Sequence, residues 1–364
     1  CNFVGNMIWL GGIIALVVTA VTTIGCRAIL TAMNTPESTF SYAYDYIFLI
    51  FLGIPATMLY NLLSGILRSL GDSRTPLMFL VFSSLLNVAL DIVCVVTLQM
   101  GVAGAGWATL ISQLISGLLC LLYMDRKFPI LHLKKENLLW RGHCVRRLLI
   151  MGLPMGLQYS ITAIGSILLQ TAVNGLGAVS MAAVAASGKV TNLFATPYDA
   201  MGTMAATYAG QNLGAGKLDR VHHGVKDCCI LGVAYSLAAL VVMYFLGAQM
   251  TALFLDSKDV ASSAQILPLA RQLLVTNAAF YIPLLGVNLF RFTIQGLGYS
   301  NLAVIAGVFE MIARGAVAAL VSVFGFTAVC YASPAAWVLA DCFLLPAYFV
   351  CMKRRTKEAA AARE

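Results

Sequence analysis

Long apolar stretches alternate along this chain with short polar ones. Charge-free runs cover residues 2–26, 46–67, 92–124, 148–188, 228–255 and 315–340. A membrane-spanning helix needs roughly 20 apolar residues, so several runs hold one span and two hold more. The pattern predicts ten helical spans, near 6–30, 46–68, 77–98, 104–124, 148–173, 179–210, 228–254, 272–294, 302–323 and 333–352. Their connectors alternate in charge. "MNTPESTFSYAYDY", "LQMGVAGAG", "NGLGAVS" and "FGFTAVCYASP" carry no Lys or Arg, and the connector near 255–270 carries one Lys. "LRSLGDSRTP", "DRKFPILHLKKENLLWRGHCVRR", "GKLDRVHHGVKD" and "KRRTKEAAAARE" are basic. The positive-inside rule assigns the basic set to the cytoplasm. An even number of spans then puts both ends of the chain there, in a multi-pass protein of the cell (plasma or inner) membrane.

Composition agrees with this class. The chain has 364 residues, 60% hydrophobic and 10% charged, against about 25% charged in a soluble domain. The net charge of +8 is therefore topology signal and implies no nucleic-acid partner. The ten cysteines are scattered through apolar segments and Cys228-Cys229 is adjacent, not a CxxC. They read as small buried hydrophobes. Of four histidines, His222-His223 falls on a predicted polar loop, so no zinc constellation forms. Neither HExxH nor GxSxG occurs. No metal, cofactor or catalytic residue is expected, and the chain does not read as an enzyme.

One stretch imitates a phosphate loop. "ATYAGQNLGAGKLDR", residues 206–220, offers glycines and a lysine, but Gly210 and Gly216 enclose five residues rather than four and Leu218 replaces the Mg²⁺-binding hydroxyl of a true P-loop. The better reading is a helix end, with Asn212 and Gly214 supplying the left-handed cap and Lys217, Arg220 and Lys226 following it.

The chain also repeats itself. "LRSLGDS" resembles "IQGLGYS", aligning Gly71 with Gly298 at an offset of 227, and Asn61 aligns with Asn288 at the same offset. Trp107 aligns with Trp337 at 230. Both copies have the same orientation, and parallel repeats are a transporter architecture. The expected organisation is an N-terminal lobe of four spans (1–124), a basic cytoplasmic linker (125–147), a six-span C-terminal lobe (148–352) and a basic tail (353–364). The second copy opens near Arg146 with two spans whose counterparts would precede Cys1. The first lobe is thus expected to lack its first two helices.

"GIPATMLYNLLSGILRSLGDSRTPL", "LLNVALDIVCV", "GVAGAGWATLISQ", "GLPMGLQ" and "ATYAGQNLGAG" together resemble the multidrug and toxic compound extrusion (MATE) family, in that family's order and over nearly the whole chain. The resemblance implies an all-α polytopic fold of two parallel-repeat bundles, with about ten of the family's twelve helices present here. It implies a central cavity between lobes, alternating access, and export of small amphipathic or cationic drugs and toxic metabolites, driven by inward Na⁺ or H⁺. A monomer surrounded by membrane lipid is expected. A lipid-linked precursor or polysaccharide flippase of the same superfamily is the alternative, and it should show a strongly cationic cavity. The family's coupling acids do not carry over. The neighbourhood where one branch places a Glu after GLP holds Thr162, and 272–294 contains no acid.

Candidate site residues are polar groups at membrane depth, where a charge is costly and hence functional by default. Lys189, Asn192, Thr196, Asp199 and Thr203 are spaced 3, 4, 3, 4 and share a helix face. Lys189 and Asp199 lie about 15 Å apart along the axis, too far to pair. Pro197 frees the carbonyl of Leu193. This stripe is either a cavity wall or a polar seam between helices. Gln158, Thr162, Ser166 and Gln170 recur every four residues and could contact substrate or glue helices. Glu310 and Arg314 are expected to form an intrahelical ion pair, from which Glu310 could exchange Arg314 for a proton or cation. Asp91 and Asp341 are lone acids, each a proton-carrier or hydrogen-bond candidate. Asn61 and Asn288, with Arg68, Arg291 and Gln295, mark polar faces. Arg68 and Arg291 are expected to snorkel to headgroups.

Overall fold

The computed structural model describes residues 2–32, 37–131, 134–255 and 260–361. Parts of four predicted segments lie outside these: 33–36 and 256–259 of two connectors, 132–133 of the basic linker, and 362–364 of the tail. Two compact units emerge, residues 1–148 and 149–364. The first holds α1 (Asn2–Ile24), α2 (Cys26–Ala32), α3 (Glu37–Leu52), α4 (Ile54–Ser69), α5 (Arg74–Asp91), a π-helical turn Ile92–Thr97, and α6 (Gly101–Lys127). From α7 (Gly142–Asn174), which starts within the linker, the chain passes to α8 (Ala178–Gly214), α9 (Leu218–Ala252), α10 (Val260–Ala279), α11 (Tyr281–Gly296), α12 (Ser300–Phe324) and α13 (Phe326–Ala361). Among the described residues, nine helices are long and apolar enough to cross a membrane, or ten if a bent pair counts as one span. That is the predicted number.

The bent pair corrects the eighth predicted span. Residues 272–294 are not one straight helix: α10 and α11 meet at Phe280 with a bend of 52°. Pro283 lacks an N–H and its ring crowds the carbonyl four residues back, which belongs to Ala279, the last residue of α10. The second span breaks likewise at Gly53, ahead of Pro55, and starts earlier than residue 46. These breaks are equivalent in the repeat. α4 and α11 are both 16 residues long, and each begins and ends 227 positions from its counterpart. The offset persists through α5 and its π turn, which end at Thr97, and α12, which ends at Phe324. The two copies therefore share helix boundaries as well as sequence.

The helix ends after "LRSLG" and "IQGLG" are built alike. Gly71 and Gly298 have φ of +92° and +90°. Asp72 N–H reaches back to Leu67 O at 3.0 Å, and Tyr299 N–H to Ile294 O at 3.1 Å. This is the bond pattern of a glycine-terminated helix. The segment 206–220 ends the same way, with a correction: α8 runs through Asn212 and Gly214, and the left-handed residue is Gly216, φ +69°. Lys217 N–H then bonds Asn212 O at 2.8 Å. A second correction concerns His222-His223, which lies on α9 rather than a loop, His222 Nδ1 sitting 3.3 Å from Tyr348 Oη. At Gly71 a Cβ would meet nothing within 4 Å, so only the backbone resists substitution. Gly71→Ala should cost about 1–2 kcal/mol, visible as a lowered melting temperature. Gly71→Asn should cost less, because Asn tolerates this conformation; equal melting of all three proteins would refute the assignment.

The first unit's linker is docked on α1. Asn6 Nδ2 donates to Leu139 O at 3.2 Å, Arg141 N–H donates to Asn6 Oδ1 at 2.8 Å, and Trp9 Nε1 donates to Leu138 O at 2.9 Å. The core of this unit gathers Leu63, Ile66, Leu67, Cys120 and Met124. That of the second unit is larger and aromatic. Tyr198, Tyr281 and Tyr348 are fully buried in it with Met243 and Leu289. The described cysteines are free.

Candidate functional site

Charged groups within the spans converge in the second unit. Five helices of that unit contribute: Gln158, Tyr159, Thr162 and Ser166 from α7, Asp199 from α8, Arg291 and Gln295 from α11, Glu310 and Arg314 from α12, and Asp341 from α13. Glu310 Oε1 pairs with the Arg291 guanidinium, and Glu310 Oε2 lies 3.5 Å from Arg314. Their side chains are only 3%, 7% and 10% exposed. Arg314 also donates to Thr162 O at 3.2 Å and Ser166 Oγ at 3.3 Å. Gln295 Nε2 donates to Gln158 Oε1 at 2.8 Å. One carboxylate thus joins two guanidiniums and leaves the triad with a net positive charge.

Asp199, Asp341 and Tyr159 belong to the same charged region as Arg291, but among the described residues neither acid forms an ion pair with it. Asp341 lies against bare backbone: a Cβ at Gly286 would stand 2.4 Å from its Oδ2. Among the described residues, Asp341 Oδ1, Arg291 Nε, Gln295 Oε1 and Thr162 Oγ1 are buried without a hydrogen-bond partner. An unpaired buried polar group costs about 1–3 kcal/mol, so this cluster is a region of unspent hydrogen-bonding capacity and mixed charge.

The repeat shows that the fold does not require these charges. At the 227 offset, Arg291, Glu310 and Arg314 correspond to Ser64, Ser83 and Asn87. The first copy closes with neutral bonds instead. Ser83 Oγ donates to Ser112 O at 2.8 Å, and Asn87 Nδ2 donates to Thr109 Oγ1 at 3.4 Å. At these three positions the second copy buries ions, at several kcal/mol each, where the first has neutral side chains.

The structure corrects one expectation outright. Arg291 does not snorkel; it is 6% exposed and holds Glu310. The Glu310–Arg314 pair forms as expected but shares its carboxylate. Asn288 is buried and donates to Leu284 O of its own helix at 3.2 Å. Gln158 is buried, whereas Ser166 and Gln170 are exposed, Gln170 bonding Asn174 Oδ1 at 2.9 Å. Along α8, Lys189, Asn192, Thr196 and Asp199 are all exposed, Lys189 lying 5.3 Å from the centre of the Phe254 ring. One turn before Pro197, which lies inside the continuous α8, Tyr235 Oη donates to Phe194 O at 3.1 Å. In the first unit, Asp91 ends α5 with Oδ1 unpartnered. Asn61 lines a cleft of about 400 Å³ beside the Gly53 break with Thr57, Thr109 and Gln113. Thr57 and Gln113, which bond each other, went unnoticed in the sequence. So did Tyr159 and the hub role of Arg291, although the spacing of Asn288, Arg291 and Gln295 already placed that arginine on a polar face.

Comparison with known proteins bears on this arrangement. The MatE family model matches residues 2–93 and 154–327. The Probable multidrug resistance protein YpnP of Bacillus subtilis (strain 168) is 30% identical over 274 residues, 74% of this chain and 58% of that protein. The Probable multidrug resistance protein YoeA of the same organism is 25% identical over 263 residues, 70% of this chain and 57% of its own. The chain thus spans less than two thirds of the length of these curated relatives. A crystal structure of MATE in complex with MaL6 superposes with a TM-score of 0.90 at 19% identity, covering 98% of this chain and 80% of the other. With the family model matched across both units, and the fold shared with solved MATE structures, this multi-pass membrane protein belongs to the MatE family, the multidrug and toxic compound extrusion transporters.

Proposed function

We propose that this chain serves secondary active efflux: it moves amphipathic or cationic drugs and toxic metabolites out of the cell by alternating access, in exchange for inward Na⁺ or H⁺. The observation that carries this reading is the charge cluster of the second unit, where Glu310 pairs with both Arg291 and Arg314 inside the helix bundle. A coupling cation that enters such a cluster competes with Arg291 for a carboxylate, so its binding is linked to a rearrangement of α11 and α12. Coupling requires this kind of differential interaction between two states. The mixed sign of the intramembrane charges supports a cationic or neutral cargo over the pyrophosphate of a lipid-linked precursor. Asp199 is the most exposed acid of the set, and we assign it the attraction of the cation.

The test is ethidium efflux driven by an imposed Na⁺ or pH gradient. Asp199→Asn should slow efflux about tenfold, equivalent to ~1.4 kcal/mol of lost stabilisation, with membrane expression unchanged. Gradient-driven efflux at the wild-type rate would instead make the 189–203 stripe a seam between helices. Both ends of the chain are assigned to the cytoplasm from the basic connectors; a cysteine added beside Arg355 that reacts with impermeant reagent in intact cells would overturn that assignment.

A further inference from the structure

The segment that joins the two units is fastened to one of them. After the 3₁₀ turn Lys135–Leu138 the chain becomes extended at Leu139, φ −62° and ψ 132°, and passes along the first turns of α1. Asn6, fully buried, binds it through both ends of its amide: Nδ2 donates to Leu139 O at 3.2 Å and Oδ1 accepts Arg141 N–H at 2.8 Å. The same Nδ2 donates to Asn2 O at 2.9 Å, which fixes the orientation of the amide. Trp9 Nε1 donates to Leu138 O at 2.9 Å. These bonds satisfy backbone groups that an irregular segment would otherwise leave to water. Gly5 permits the approach, since a Cβ there would overlap Asn137 O and stand 2.9 Å from Asn137 C. The contact continues past the segment, where the Phe3 and His143 rings meet edge to face with centroids 6.4 Å apart.

His143 already lies in α7. That helix is continuous from Gly142 to Asn174, yet the division between the compact units falls inside it, after Leu148. Its first two turns therefore belong to the first unit and the rest to the second. Past the division, Pro154 sits inside α7 and has no N–H to offer the carbonyl of Ile150. Gly152 lies in the same turn, with nothing within 4 Å of where a Cβ would stand, and a glycine weakens a helix interior. The linker is thus braced, and the weak turn is in α7, at 150–154.

We propose that residues 137–143 form a strap that stays on α1 throughout transport, so that the two units turn about the 150–154 segment of α7 and not about the linker. The proposal rests on alternating access as the mode of transport. A loose linker would leave the direction of that movement unspecified. The strap makes the first turns of α7 an arm of the first unit and confines the movement to the bending of one helix, with a few residues absorbing the backbone change. Asn6 is the positioning residue of the device: it is buried under the strap, and its partners are backbone groups alone.

Two measurements test this. The first needs no transport: limited trypsin digestion of the purified protein, read at Arg141. Cleavage there requires the strap to lift, and its rate follows the population of the lifted form. Asn6→Ala should be cut about tenfold faster than wild type, and Trp9→Phe less so. Gly5→Ala, which removes no hydrogen-bonding group but crowds Asn137, should be cut as fast as Asn6→Ala. The second measurement joins Phe3→Cys to His143→Cys, in a background without other cysteines, by a bis-methanethiosulfonate that reductant releases. In proteoliposomes under an imposed Na⁺ or pH gradient, the cross-linked protein should move ethidium at the rate of the unlinked one. Asn6→Ala should lower kcat several-fold with KM unchanged, and the cross-link should restore it. Equal cleavage of wild type and Asn6→Ala overturns the strap. Transport that stops on cross-linking and returns with reductant overturns the fixed linker. If the unlinked protein follows neither gradient, alternating access by coupled exchange falls and the hinge with it, while the trypsin pattern still decides the strap.

Discussion

Glu310→Gln should destabilise the second unit more than any other single polar substitution in it. The amide keeps the shape of the carboxylate but removes the one negative charge that holds Arg291 and Arg314 together. Two buried cations are then left facing each other. Removing one partner of a buried ion pair costs about 3–5 kcal/mol, a large part of a membrane bundle's margin. Replacing all three ions should behave differently. Arg291→Met, Glu310→Leu and Arg314→Met together remove the desolvation cost along with the attraction, and buried triads exchanged for apolar groups are often neutral or stabilising. The expected order of melting temperatures in detergent is therefore triple variant near wild type and Glu310→Gln well below both. Efflux should be lost in both variants, which separates a role in transport from a role in folding. Wild-type melting of Glu310→Gln would show that the arginines have other counter-charges. A triple variant less stable than the single would show that the ions are structural.

Much of the fold is legible in the sequence because lipid imposes one demand, a run of apolar residues long enough to satisfy its own backbone. The repeat is legible too, since Gly71 and Gly298 mark the same backbone conformation. What the pattern does not reveal is direction. Periodicity places Asn288, Arg291 and Gln295 on one face of α11 but says nothing of whether that face meets lipid or protein, and Arg291 turns inward, 6% exposed, rather than to headgroups. The cluster itself joins α7, α11 and α12, through Arg314 on Thr162 O and Arg291 on Glu310, and no local spacing records that meeting. The breaks at Gly53 and Phe280 escaped for a related reason. Pro55 and Pro283 are visible, but proline is tolerated within membrane helices and does not by itself announce a break.

Asp341→Asn is expected to abolish the response of efflux to an imposed Na⁺ or pH gradient while leaving the protein folded. Asn has the size of Asp, and Asp341 Oδ1 has no hydrogen-bond partner among the described residues, so the change removes the ionisable group with little loss of packing. An arriving cation or proton then has one carboxyl fewer to bind near the Arg291–Glu310 pair. Gly286 provides the complementary variant. A Cβ there would stand 2.4 Å from Asp341 Oδ2 and 2.9 Å from its Cγ, so Gly286→Ala displaces the acid without removing it. Such overpacking costs about 1–3 kcal/mol. Gly286→Ala should therefore lower both the melting temperature and gradient-driven efflux. Adding Asp341→Ala to it should recover the melting temperature by making room, but not the efflux. The measurements are ethidium transport in proteoliposomes under a defined gradient and thermal unfolding of the same preparations. If Asp341→Asn pumps at the wild-type rate and still follows the gradient, Asp341 carries no coupling cation.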